Sequence, residues 1–234
     1  MQLNVLSAGA AQGVVTALAG EFRDLTGCEL ACTFGAVGAM KEKLLAGAPA
    51  DLIILTQALI AGLAADGQVR PDSSADLGRV RTGVAVRATD PLPDIASANA
   101  LRATLLAAEG IYFPDPQKAT AGIHFARVLD TLGIRSQVEA RLRTYPNGAT
   151  AMRELGQAKG ARLVGSTQVT EINNTPSVTL VGLLPREFEL ATVYSVGVCA
   201  GAASPEAARR FIALLTGETT RMLRAKAGFE LGTA

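Results

Sequence analysis

The hydrophobic pattern in the first third of the chain repeats one unit three times. Each unit is a short apolar run, a turn of small residues, then apolar positions at helical spacing. Leu3 to Ser7 reads as a short buried strand and Ala8-Gly9-Ala10-Ala11 as a turn. Gly13 to Leu25 reads as a helix with Val14, Val15, Leu18, Phe22 and Leu25 on one face, and Gly27 stands where a helix C-cap belongs. Leu30 to Phe34 is the second predicted strand. Gly35-Ala36-Val37-Gly38 is the next turn, and Met40 to Ala46 the next helix, stopped by Gly47-Ala48-Pro49. Leu52 to Leu55 and a helix from Thr56 to Ala65 complete the third unit. Such repetition builds a mostly parallel α/β sheet with helices on both faces. Ligands bind these sheets at the carboxyl ends of the strands, where helix N-termini point.

The pattern changes in the middle. Arg81 to Arg87 is a strand that should leave the first lobe, followed by a break at Asp90-Pro91-Leu92-Pro93. Ser97 to Ala107 is a helix, Ile111 to Phe113 a strand ending at Pro114-Asp115-Pro116, and Gln117 to Gly122 a loop feeding a helix from Ile123 to Leu132. Arg143 to Tyr145 is a short strand, and Asn147-Gly148 opens a helix to about Ala158. Arg162 to Ser166, Val178 to Val181 and Thr192 to Ala200 are strands, the last long enough to return to the first lobe. Ser204-Pro205-Glu206 is a strong helix start, with an N-cap Ser, Pro at N1 and an acid in the first turn. Gly217 ends that helix, and Thr219 to Ala227 forms the last one.

Composition narrows the function. With 234 residues, 49% hydrophobic, the chain can bury one large core or two lobes of about 100 residues each. A net charge of +1 advertises no nucleic-acid partner, and the absence of Trp argues against stacking platforms. No apolar run approaches the ~20 residues of a membrane span. No signal peptide is visible, because strand-like Leu3 to Leu6 follows Met1 at once. The protein is therefore expected in the periplasm if a leader has been removed, and in the cytoplasm otherwise. Cys28 and Cys32 share one strand face at roughly 13 Å, too far for a disulfide. With Cys199 they read as small buried apolar residues. With His124 the sole His, no metal site and no cofactor is expected.

Four small or polar turns sit between a strand and a helix: Ser7-Ala8-Gly9-Ala10, Gly35-Ala36-Val37-Gly38, Thr120-Ala121-Gly122 and Asn147-Gly148. Small side chains let an anion reach the unpaired N–H groups at a helix start, where the macrodipole favours negative charge. Each turn alone is also ordinary turn chemistry. Four together point to a shared anion site.

At these turns the sequence resembles a known family. Gly47-Ala48-Pro49-Ala50-Asp51-Leu52-Ile53-Ile54 is similar to a signature of molybdate-binding-protein-like periplasmic solute receptors, and Thr33 to Met40 matches their second anion loop. The resemblance continues through Asp115-Pro116, Thr120-Ala121-Gly122, Asn147-Gly148-Ala149, Thr167 to Ile172 and the tail from Ser204 to Phe229. It implies a type II periplasmic-binding-protein fold: two lobes, each a mixed sheet flanked by helices, joined by two hinge strands. Lobe 1 is expected to hold residues 1–82 and 198–234 and lobe 2 residues 83–197, with hinges near 82–87 and 192–199. The protein is expected to be a monomer that hinges shut on its ligand.

Departures from the family shift the ligand. Molybdate receptors carry a Ser hydroxyl in each of the first two loops; the matching positions here are Gly9-Ala10 and Ala36-Val37. A Tyr ligand is replaced at Thr167-Gln168. Each lost hydroxyl costs a buried oxyanion about 1–3 kcal/mol. The pattern is similar to a divergent branch that also includes aconitate isomerase, which implies a di- or tricarboxylate.

Individual side chains carry alternatives. Thr120 Oγ either binds the ligand or caps the helix. Gln168 either meets a carboxylate and a hydroxyl or is a loop residue. Arg79, Arg81 and Arg87 flank the outgoing strand: either one reaches the cleft and pairs with a carboxylate, with Arg79 and Arg81 on one face and able to act together, or each is a solvated surface charge. Tyr194 either reaches the ligand or packs. His124 is the candidate general base, or a helix residue at the cleft edge. Asp51 reads as a structural acceptor. Two functions follow: the solute receptor of an ABC-type permease for a small anion, or an isomerase that moves a double bond in a polycarboxylate. A cytoplasmic sensor domain is a third reading, weakened by the lack of an attached DNA-binding helix pair.

Overall fold

The computed structural model describes residues 1–232. In chain order the elements are β1 (Gln2–Ala8), α1 (Gln12–Thr26), β2 (Glu29–Gly35), α2 (Val37–Leu45), β3 (Leu52–Thr56), α3 (Gln57–Ala65) and the long β4 (Ala75–Arg87). Then come α4 (Ala98–Ala107), β5 (Gly110–Pro114), α5 (Thr120–Thr131), α6 (Arg135–Val138), β6 (Leu142–Tyr145), α7 (Gly148–Gln157), β7 (Leu163–Gln168) and α8 (Val169–Asn173). β8 (Val178–Leu183), β9 (Ala191–Val198), α9 (Pro205–Thr216) and α10 (Arg221–Ala227) complete the fold. The chain condenses into two units: Met1–Val80 with the segment from Thr192 onward, and Arg81–Ala191. None of the described helices is long and apolar enough to cross a membrane.

In the first unit β1 lies between β2 and β3, parallel to both, and β9 pairs antiparallel with β3. Val14, Val15, Leu18 and Phe22 fall on one face of α1; Ala208, Phe211, Ile212 and Leu215 do so on α9. The two stripes meet at Phe22 and Phe211, whose rings cross edge to face 5.0 Å apart. Gly27 ends α1 at φ 67°, the left-handed cap that glycine takes without strain.

The second unit shows why strand alternation matters. β5 is parallel to β6 and β7, and β4 pairs antiparallel with β7 and β8. Ile111 and Phe113 of β5 enter one core with Leu101, Leu105, Phe125 and Leu129 of α4 and α5. Tyr112, between them, faces the other core with Met152, Leu155 and Ile172 of α7 and α8. A period of two thus distributes one strand between two helical layers.

Three boundaries differ from the sequence reading. α5 starts at Thr120, so Thr120-Ala121-Gly122 is the first helical turn and not the end of a loop. A Cβ on Gly122 would run into the carbonyls of Pro114 and Asp115, so the glycine is there to seat α5 on the end of β5. α2 likewise starts at Val37, three residues before Met40. β4 begins at Ala75 and not Arg81; Gly78, at φ 139°, masks its first half.

Asp51 is the structural acceptor its sequence context suggests. It is 1% exposed and accepts from the Asn4 backbone N–H at 2.8 Å, the Asn4 amide at 3.3 Å and the Ser204 N–H at 2.8 Å. It thereby ties β1, β3 and the start of α9. Ser204 occupies the N-cap position, but its hydroxyl makes no cap bond. Asp51→Ala strands these donors and is expected to lower unfolding free energy by about 2–4 kcal/mol, read by urea denaturation. A loss below about 1 kcal/mol would show that the clasp is dispensable.

Candidate functional site

In the first unit, Ala8 is the register partner of Gly35 across the parallel β1–β2 pair. The Gly9–Ala10 and Gly35–Ala36–Val37 turns therefore open side by side at the carboxyl edge of the sheet. A short 3-10 turn follows Ala8, and α2 follows Ala36; neither alanine side chain can cap a helix. α3 starts on the same edge after Thr56, whose hydroxyl also makes no cap bond. Helix-start N–H groups without side-chain caps carry the partial positive charge that attracts an anion. Tyr194, 2% exposed, is paired opposite Thr56 on that edge. Close by, Asp76 accepts from the Ser195 hydroxyl at 2.5 Å and from the Gln57 side-chain amide at 2.9 Å. This clasp has no local sequence signature, because its members lie far apart in the chain.

Arg79 and Arg81 each have an acidic partner of their own. Arg79 meets Glu230 through Nε at 2.9 Å and Nη2 at 2.7 Å, within the first unit. Arg81 lies in the second unit, 3.7 Å from Glu189. The shared strand face was legible, but the acidic partners of the two residues are distant in sequence.

In the second unit, α5, α7 and α8 start at the carboxyl ends of the parallel strands β5, β6 and β7. α7 spends its amides internally. Glu171, 5% exposed, turns its carboxylate onto that helix start and accepts from Ala149 N–H at 3.3 Å and from the Gly148 N–H. It also accepts from the Thr167 hydroxyl at 2.5 Å and from the Gln168 backbone N–H. The Asn147 side chain accepts from Thr150 N–H at 2.8 Å. Asn147, Gly148 and Thr167, expected to face the ligand, are thus engaged by the protein itself. Gly148 is a glycine because a Cβ there would collide with the Glu171 carboxylate and the Thr167 hydroxyl. Glu171 was not among the expected site residues. Its signal was present: it follows the N-cap Gln168 by three positions, the spacing of a capping box.

Gln168 stands out for the opposite reason. Its side chain is 2% exposed, yet no group among the described residues bonds to Oε1 or Nε2. The same holds for the hydroxyls of Thr82, its register partner on β4, and of Thr170, two residues further on. Leaving such atoms unsatisfied costs about 1–3 kcal/mol each, so each of them calls for an explanation.

α5 carries the remaining candidates. Its N-cap is Ala119, with no side-chain cap; Thr120 is the first helical residue and Ala121 is buried. His124 Nε2 lies 2.7 Å from the Phe188 carbonyl. A carbonyl only accepts, so Nε2 carries hydrogen and Nδ1 holds the ring's lone pair in the neutral form.

Parallel strands with helix starts at their carboxyl ends recur in each unit, as in the periplasmic-binding-protein fold. The model of the bacterial extracellular solute-binding protein family matches residues 3–230, and the chain belongs to that family. An aconitate isomerase from a Pseudomonas species is 30% identical over 222 residues, covering 91% of this chain and 81% of that protein. The periplasmic molybdate-binding protein of Azotobacter vinelandii superposes with a TM-score of 0.81 at 21% identity, over 99% of this chain and 100% of that one. The sulfate-binding protein SubI of Mycobacterium tuberculosis gives 0.75 at 20% identity, over 98% and 86% respectively.

Burial pushes the Glu171 carboxyl above its ordinary value; the Thr167 hydroxyl and the amides of Ala149, Gln168 and Gly148 oppose that shift without cancelling it. A raised folded pKa means the folded state holds the proton more tightly. Glu171's contribution is therefore full below its unfolded value near 4.5 and is lost as pH rises through the folded value. Glu171→Gln should remove that slope, so the variant gains stability relative to the parent as pH rises above 4.5. Denaturation midpoints across pH 4.5 to 8 test this, and parallel profiles would contradict it.

Proposed function

We propose that this protein is the solute receptor of an ABC-type transporter for a small organic di- or tricarboxylate. The observation that carries the reading is the pair of helix starts after Ala8 and Ala36, side by side at one sheet edge and without side-chain caps. Backbone N–H groups there supply an anion's hydrogen bonds. Within the second unit the first turn of α5 (Thr120, Ala121 and Gly122) offers donors of the same kind. Tyr194 in the first unit and Gln168 in the second are the side-chain candidates. The reading places the protein in the periplasm, facing a membrane permease. The absence of hydroxyls at Gly9-Ala10 and Ala36-Val37 argues against a tetrahedral oxyanion that needs every oxygen satisfied.

A thermal-shift panel of citrate, malate, succinate, aconitate, sulfate and molybdate tests this. A carboxylate at 100 times its Kd stabilises by about 2.7 kcal/mol, and sulfate and molybdate do not. Sub-micromolar molybdate binding with no carboxylate response would reverse the assignment.

One observation favours a second reading. The 30% identity to an aconitate isomerase extends over most of the chain. In that reaction a base takes a proton from the CH2 carbon of the substrate, the double bond shifts, and the proton returns to the other end of the allylic system. His124 Nδ1 is the available base, with Nε2–H held by Phe188 O. As an isomerase, the protein exchanges aconitate carbon-bound protons with D2O by NMR, and His124→Ala abolishes the exchange. Binding without exchange identifies a receptor.

A further inference from the structure

We propose that the ligand is a hydroxycarboxylate, and that Gln168 with Thr82 and Thr170 reads its hydroxyl. The inference rests on the carboxylate reading above and narrows it to a chemical class.

The Gln168 amide offers one acceptor and two donors, and none is engaged by a described residue. Exchanging Oε1 and Nε2 by rotating the amide leaves the same pair of needs. A fully ionised oxyanion has only lone pairs to offer. It accepts from Nε2 but turns negative charge toward Oε1, which then stays unsatisfied at a cost of tenfold or more in affinity. A hydroxyl donates to Oε1 and accepts from Nε2 or from a threonine hydroxyl. Thr82, directly across the β4–β7 pair, and Thr170 have the same dual character.

Isothermal titration with two matched pairs tests the proposal: malate against succinate, and citrate against tricarballylate. Each pair has the same carboxylates and differs by one hydroxyl. The hydroxy acid is expected to bind at least about tenfold tighter in each. Gln168→Met and Thr82→Val, each checked for a native melting transition, bring that ratio toward one; the second variant serves if the first does not fold. Equal affinities within both pairs, or an unchanged ratio in a folded variant, overturn the hydroxyl assignment alone. Failure of all four acids to bind overturns the carboxylate reading and this inference with it.

Discussion

A carboxylate with almost no access to water, Glu171, sets the local order of the second unit. Burying a charge is costly unless donors surround it. Here the donors come from two helix starts and a strand: Gly148 and Ala149 of α7, the backbone of Gln168 at α8, and the Thr167 hydroxyl. One side chain therefore fixes where α7 and α8 begin and how both meet β7. It also explains Gly148, whose missing Cβ is the room the carboxylate needs. Because Glu171 accepts at this start, the Gln168 side chain makes no cap to α8. Its amide is left without a partner among the described residues.

The first unit solves a related problem at the other end of its strands. Asp51 stands just before β3 and accepts from Asn4 and from the start of α9. That is the amino edge, away from the turns that follow β1 and β2. The helix starts at its carboxyl edge keep their N–H groups clear of side-chain caps. The first unit presents uncapped helix starts, and the second presents, besides the uncapped start of α5, buried amide and hydroxyl groups that no described residue engages.

Local signals carried much of the fold. The three strand–turn–helix units of the first 65 residues follow from apolar period, small turns and the Gly27 cap, all written within a few positions of each other. The small turns after β1 and β2 were legible as accessible helix starts for the same reason. What escaped depended on partners distant in sequence. Arg79 belongs to Glu230, and the Ser195–Asp76–Gln57 clasp joins three separate elements. Gly122 and Gly148 looked alike as open anion loops. Yet one is small to seat a helix on a strand end, and the other to admit a carboxylate. A glycine records that space is needed and not what fills it.

The same distinction bears on what a retained fold conserves. A TM-score of 0.81 at 21% identity to a molybdate-binding protein shows the backbone scaffold surviving extensive replacement of side chains. Backbone N–H groups at helix starts persist through such replacement, because they belong to the fold. They bind negative charge but discriminate weakly among its carriers. Where loop hydroxyls give way to methyl and hydrogen, as at Gly9-Ala10 and Ala36-Val37, less of the selectivity can come from the turns. Under the proposal it passes to the few buried side chains that keep polar atoms unspent, Gln168, Thr82 and Thr170, which offer both donors and acceptors.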